Sequence, residues 1–314
     1  MHIVVTDGDT VQGQGVDLDF LRTFGRVTVY GLTKPEEIAD RLADADAVLV
    51  NKTVLSADVL AAAPRLRYIG LFATGYNNID TTYAASHGIT VCNVPGYSTE
   101  AVAQHTMALL LQLTNQVGEY NRMVEQGDWV KSRTFSFFPL PLTELCGRTI
   151  GIVGYGAIGR RVAQIAMAFG MQVLVCNRSQ VEDPTVQQVP FEVLLEQADV
   201  VSLHCPLNSD SENMMNAAAF ARMKQGAWLI NTARGALVDE SALRAALDSG
   251  HLGGAGLDVL RQEPMASDCP LYGAPRCVLT PHIAWAGVET RRRLMDVVAQ
   301  NLRAYLAGTP QNTV

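Results

Sequence analysis

The chain is 314 residues long, 48% hydrophobic and 18% charged, with a formal net charge of -7. That length exceeds what one hydrophobic core usually fills, so two domains with a cleft between them are expected. No apolar run approaches the roughly 18 residues that would cross a bilayer, and the acidic balance argues against a nucleic-acid partner.

Met1 leads directly into a strand-like run, with no basic stretch and apolar segment ahead of a cleavage site, so no secretory leader is expected. The six cysteines, Cys92, Cys146, Cys176, Cys205, Cys269 and Cys277, show no Cys-x-x-Cys pair and no histidine at metal-ligand spacing. They read as reduced thiols of a cytoplasmic protein without a metal site. The basic triplet Arg291, Arg292 and Arg293 reads as a solvated or salt-bridged helix face.

Short β-branched runs at residues 2–6, 27–30, 47–50, 68–72 and 90–93 alternate with helical stretches at 35–43 and 57–62, the pattern of a parallel sheet. A long helical pattern begins after Ser98 or Thr99, either of which can cap it, and runs past Leu113. Beyond the aromatic and proline-rich stretch 135–141, a second series of strands is expected at 149–153, 172–176, 200–204, 227–231, 255–259 and 277–280. A final amphipathic helix over 290–306 is expected to pack back on the first domain.

Gly154, Gly156 and Gly159 form Gly-x-Gly-x-x-Gly between the strand at 149–153 and a helix over 157–169, with Tyr155, Ala157 and Ile158 between them. Such glycines allow a tight turn and close backbone approach to a pyrophosphate, which the free amides of the helix N-terminus attract. A dinucleotide site follows. Where NAD-binding chains place a carboxylate after the second strand, this one has Asn177, Arg178 and Ser179. With no charge to repel a 2′-phosphate and Arg178 able to bind one, NADP(H) is favoured. NAD(H) stays usable if Asn177 bonds the ribose and Arg178 lies over the adenine. His204, beside Cys205 and Pro206 at another strand end, borders the expected adenine pocket.

Ligands of open α/β sheets sit outside the carboxyl ends of the strands. Thr232, Ala233, Arg234 and Gly235 follow one strand, Glu263 follows the next after Asp258, and His282 follows the last. A guanidinium fork suits the carboxylate of a 2-keto acid, and a histidine suits delivery of a proton to the alkoxide left by hydride transfer. Glu263 would orient that imidazole. Taken singly, each residue has a plain structural reading too: a loop tie, a cap, a packed histidine beside Trp285. His105 and His251 read as structural or surface residues.

These motifs resemble the D-2-hydroxyacid dehydrogenase family, in particular its glycerate dehydrogenase/hydroxypyruvate (glyoxylate) reductase branch. The resemblance runs through Phe72-Ala-Thr-Gly-Tyr-Asn-Asn-Ile-Asp80, the segment from Asn93 to His105, the glycine motif, Asn231-Thr-Ala-Arg-Gly-Ala-Leu-Val-Asp239, Gly256-Leu-Asp-Val259 with Glu263-Pro264, and Pro281-His-Ile-Ala-Trp285. It implies a catalytic set of Arg234, Glu263 and His282, with substrate held by Arg234, His282 and the backbone of Ala73, Thr74 and Gly75. It also implies that Asp258 and the backbone near Ala233 hold the nicotinamide carboxamide.

The implied fold is two doubly wound α/β domains: a flavodoxin-like substrate domain (1–98 plus 286–314) and an inserted Rossmann cofactor domain (99–285). The implied partner is a small 2-keto or 2-hydroxy acid, hydroxypyruvate or glyoxylate rather than a phosphorylated acid, in a homodimer formed through the cofactor domain. Phe135, Phe137 and Phe138 then lie at the subunit contact or simply anchor a loop. Glu263 argues against the formate dehydrogenases, which pair this histidine with glutamine. A corepressor-like nucleotide-sensing module on the same fold is the alternative, and the lack of extended tails weighs against it.

Overall fold

The computed structural model describes residues 1–314. In chain order the first elements are β1 (His2–Val5), β2 (Arg26–Val29), α1 (Ile38–Leu42), β3 (Ala47–Val50), α2 (Ala57–Ala61), β4 (Tyr68–Leu71), α3 (Thr81–Ser86) and β5 (Thr90–Cys92). There follow α4 (Thr99–Asn115), α5 (Val117–Glu125), β6 (Thr149–Val153), α6 (Ala157–Ala168), β7 (Gln172–Cys176), β8 (Gln187–Gln188), α7 (Phe191–Gln197) and β9 (Val200–Leu203). The last are α8 (Ala217–Arg222), β10 (Trp228–Asn231), α9 (Glu240–Asp248), β11 (Gly254–Leu257), β12 (Cys277–Leu279) and α10 (Val288–Leu306). Two compact units result: Met1–Ser98 with Ala286–Val314, and Thr99–Trp285.

The first unit is a five-stranded parallel sheet in the order β2-β1-β3-β4-β5. Every residue of β1, β3 and β4 is buried, as expected of strands covered on both faces, so their sequences read as unbroken apolar runs instead of alternating ones. Where the strand order reverses, between β1 and β3, the buried Asp7 carboxylate accepts from the backbone N–H groups of Asn51, Lys52 and Thr53. That ties the carboxyl ends of the two strands together. Helix α10 belongs to this unit, and its Tyr305 packs on Tyr68 with ring centroids 4.7 Å apart.

The basic triplet on α10 corrects one expectation. Arg292 and Arg293 are exposed, but Arg291 is buried. Its guanidinium donates to the carbonyl oxygens of Val11, Gln12 and Gly13, to Gln14 Oε1 and to Ala286 O. Five donors in a rigid fork let one buried arginine satisfy a whole loop without a carboxylate.

The second unit is a seven-stranded parallel sheet, β12-β11-β10-β9-β6-β7-β8, whose order reverses between β6 and β9. Its core joins the inner faces of β9, β10 and β11 to Leu194, Phe220, Leu243 and Leu247 from the covering helices. Strand β8 is two exposed residues long, too short to leave a periodic signature. Helix α5 has no buried residue.

Candidate active site

The glycine-rich turn shows which of its glycines serve packing and which serve a ligand. At Gly154, φ is +94° and a Cβ would lie 2.6 Å from the Cys205 nitrogen; at Gly159 it would strike the Gly154 carbonyl oxygen. Those two are needed by the protein itself. Around the position of a Cβ on Gly156, by contrast, no atom lies within 4 Å. Gly156 caps α6, so the open space lies at a helix N-terminus whose first amides attract an anion. The residues present therefore fit the pyrophosphate of a dinucleotide.

At the end of β7, Asn177 is folded into this turn. The Tyr155 N–H donates to Asn177 Oδ1 at 3.0 Å, and Asn177 Nδ2 donates to Ser179 O and Ser179 Oγ at 3.0 Å each. Arg178 is exposed. The Tyr155 hydroxyl donates to Asp183 Oδ2 at 2.7 Å, and burial together with that carboxylate pushes the phenol up to about 12. At the end of the neighbouring β9, His204 N–H donates to Val153 O, and burial pushes the His204 imidazole down to about 4, leaving it neutral. Cys205 packs at its side against Gly154, and Pro206 is exposed.

The ends of β10, β11 and β12 carry the titratable set. Arg234 is exposed, with no carboxylate partner, and donates to Ala233 O at 2.7 Å. Its loop is fixed through Asn231, which donates to Arg234 O and accepts from Ala233 N–H. Buried Thr232 meets Thr106 of α4, Oγ1 to Oγ1, at 2.9 Å. Gly235 is a glycine because the chain after β11 crosses it: a Cβ would strike the Leu260 carbonyl group. The same Leu260 donates its N–H to Glu263 Oε1 at 3.0 Å, and Glu263 Oε2 lies 2.6 Å from His282 Nδ1. The Arg234 loop, Glu263 and His282 are thus joined by one short set of contacts, and the imidazole takes part in them through Nδ1.

His282 has φ of +55°, a left-handed conformation that few non-glycine residues adopt. Asp258 holds it there. Asp258 O accepts from His282 N–H at 2.8 Å, Oδ1 accepts from Ile283 N–H at 2.9 Å and from Thr280 Oγ1 at 2.6 Å, and Oδ2 accepts from Ala284 N–H at 2.8 Å. Burial alone would raise the Asp258 carboxyl, but hydrogen bonds from His105, Thr280, Ala284 and Ile283 outweigh it and hold it below the usual carboxylate range. In the sequence His105 reads as a structural or surface residue, yet its Nε2 lies 2.8 Å from Thr280 Oγ1 and 3.4 Å from Asp258 Oδ1. The only signal was its place in a helix entering the unit, which does not tell a packed histidine from a connected one.

In the first unit, the turn after β4 holds Ala73, Thr74 and Gly75. Its carbonyls face inward: Ala73 O accepts from Val94 N–H and Thr74 O from Asn93 Nδ2, while Thr74 Oγ1 donates to Val94 O.

Residues 107–284 match the family described as D-isomer specific 2-hydroxyacid dehydrogenase, NAD binding domain. The chain is 42% identical to a hydroxypyruvate reductase of Blautia hydrogenotrophica, over 100% of this chain and 99% of that one. It is also 42% identical to a glycerate dehydrogenase of Methylorubrum extorquens, over 89% and 88% of the two chains. The crystal structure of the TT0316 protein from Thermus thermophilus superposes with a TM-score of 0.91 at 41% identity, covering 100% of both chains. With its glycine-rich turn and its glutamate-histidine pair, the chain belongs to the D-isomer specific 2-hydroxyacid dehydrogenase family.

Proposed function

We propose that the protein reduces a small 2-keto acid to the D-2-hydroxy acid, with hydroxypyruvate or glyoxylate as the substrate and D-glycerate or glycolate as the product. The observation that carries this reading is the 2.6 Å contact between Glu263 and His282, beside an arginine with no carboxylate of its own. Glu263 fixes the imidazole through Nδ1, so the proton on Nε2 is the one delivered to the substrate oxygen as it becomes an alkoxide. Arg234 binds the substrate carboxylate in its planar fork. The bound nicotinamide supplies the hydride. The relatives named hydroxypyruvate reductase and glycerate dehydrogenase support this substrate class.

Gly154, Tyr155, Gly156, Ala157, Ile158 and Gly159 would cradle the pyrophosphate. Asn177, Arg178 and Ser179 would meet the adenosine ribose, His204, Cys205 and Pro206 the adenine, and Thr232, Ala233 and Asp258 the nicotinamide. We favour NADP(H): Asn177 brings no charge and is satisfied within its own turn, while Arg178 stands outside every ion pair of the second unit and suits a 2′-phosphate.

The unit 99–285 exposes Trp129, Val130, Phe135 and Phe138, the last two 91% and 73% accessible, next to a helix with no buried face. Phe137 is half-buried. Such a patch suits a subunit contact, and we assign it to a homodimer. No helix is long and apolar enough to cross a membrane, and the six unpaired cysteines suit the cytoplasm.

The test follows reduced-nicotinamide absorbance with hydroxypyruvate, glyoxylate, pyruvate and formate. Turnover of hydroxypyruvate or glyoxylate, lost in His282→Ala through kcat and in Arg234→Ala mainly through KM, is expected. Absence of oxidation with every 2-keto acid sinks the reading. Asn177→Asp should shift preference from NADPH to NADH, and Phe135→Ser with Phe138→Ser should lower the sedimentation mass of the native protein.

A further inference from the structure

We propose that His105 of α4 is a positioning residue for the His282 loop, acting through the Thr280 hydroxyl on the Asp258 carboxylate. This rests on the reading of His282 as the proton donor.

The direction of each hydrogen bond follows from the chemistry of the groups. An ionised carboxylate only accepts, so Thr280 Oγ1, 2.6 Å from Asp258 Oδ1, spends its single proton there. Its lone pairs remain, so His105 Nε2, at 2.8 Å, must donate. His105 is thereby placed in the tautomer with its proton on Nε2, at the head of a chain running from imidazole to hydroxyl to carboxylate.

The far end of that chain is the His282 backbone. Asp258 takes the N–H groups of His282, Ile283 and Ala284 on its carbonyl and its two carboxylate oxygens, with Thr280 O as a second acceptor for the His282 N–H, and this grip helps keep His282 at a φ of +55°, a left-handed conformation that non-glycine residues rarely adopt. Asp258 is 1% exposed, so water does not substitute for a lost donor. Taking away His105 frees the Thr280 hydroxyl to rotate, and the carboxylate then loses one of the three donors, Thr280, Ile283 and Ala284, that bond it directly. The charged or titratable groups that meet this network are Asp258 after β11, His105 from α4, and the Glu263–His282 pair.

The neighbouring helix residue adds a parallel tie. Thr106 contacts Thr232 at the base of the Arg234 loop, so two successive residues of α4 reach the two loops that bear Arg234 and His282. Substrate capture by Arg234 does not run through His105, which separates the two effects.

His105→Leu removes the donor at similar size, while His105→Gln places an amide N–H near the position of Nε2. Thr280→Val and Thr280→Ser form the matching pair one step along. With hydroxypyruvate and NADPH, His105→Leu and Thr280→Val should each lower kcat by about three- to tenfold, the scale of one lost hydrogen bond. KM for hydroxypyruvate should stay within about twofold. The double variant should lose no more than either single one, because both cut the same chain. His105→Gln and Thr280→Ser should restore most of kcat.

In the full-length protein without cofactor, amide exchange of the peptide spanning residues 281–285 should quicken in the two disruptive variants alone. Unchanged kcat and unchanged exchange in a folded His105→Leu overturn the proposal. So does a loss spread equally over KM and exchange throughout the unit, which marks a merely structural residue. If His105→Leu does not fold, the Thr280 pair decides by the same criteria. His282→Asn, run alongside, tells the two readings apart: full kcat in that variant refutes the proton-donor reading itself, whereas its loss with an unaffected His105→Leu refutes only the role of His105.

Discussion

Replacement of His204 tests whether the imidazole beside the glycine-rich turn is held neutral. Burial lowers its pKa from 6.5 to about 4, while in the unfolded chain the group keeps its ordinary value. Between those two values the unfolded state binds the proton and the folded state does not, so stability falls as pH drops. Each tenfold difference in proton affinity corresponds to about 1.4 kcal/mol, so the full effect is about 3 kcal/mol, absent above pH 6.5 and complete near pH 4. The assay is urea unfolding of wild type and His204→Gln at pH 7.5, 6, 5 and 4.5, followed by tryptophan fluorescence. Other groups titrate in both proteins, so the quantity of interest is the difference between the two curves. His204→Gln should cost stability at pH 7.5, where it loses the contact between His204 Nε2 and Ser202 Oγ at 2.8 Å, and should then close that gap as the pH falls. Parallel curves from pH 7.5 to 4.5 would show that His204 takes up its proton in the folded protein and would refute the reasoning.

Glu263→Gln keeps the shape of the pair but removes the anion 2.6 Å from His282; steady-state assays with hydroxypyruvate should show kcat reduced at least about tenfold, with KM nearly unchanged. Tyr68→Phe removes a buried hydroxyl that has no partner beyond the Cys92 thiol and that burial pushes above its ordinary range; thermal unfolding should show no loss of stability and a gain of up to about 1 kcal/mol. Arg291→Leu strands the carbonyls of Val11, Gln12 and Gly13 and should destabilise the chain by at least about 3 kcal/mol in denaturant unfolding. Arg291→Lys should recover only part of that, since an ammonium cannot reach three carbonyls in a row.

The strands were legible because their burial is two-sided. The runs at 47–50, 149–153 and 172–176 coincide with β3, β6 and β7, and the others differ from the expected ranges by one or two residues at an end, most often because the last residue leaves the ladder to enter a loop. Helices α7, α8 and α9 leave little trace in the sequence: six to nine residues long, they span two or three turns, and the caps of α8 and α9, Asn216 and Asp239, resemble loop residues until the amides they accept from are seen. Stretch 35–43 likewise divides into a 3-10 turn at Pro35–Glu37 and α1.

Arg234, Glu263 and His282 could be picked out from their places after three strands, because a parallel sheet sends all its carboxyl ends to one edge. What holds them could not, because it is made of contacts between residues far apart in the chain. Asp258 and Ala284 are 26 positions apart, His105 and Thr280 are 175, and Arg291 and Gly13 are 278. Each of these ties joins a side chain of ordinary type to a backbone group or hydroxyl that has no sequence signature. A strand end therefore announces where chemistry can sit, and the long-range polar contacts decide whether a side chain there is held still. On that ground His105 and Arg291, read from sequence as bystanders, shape the two units as much as the residues named for chemistry.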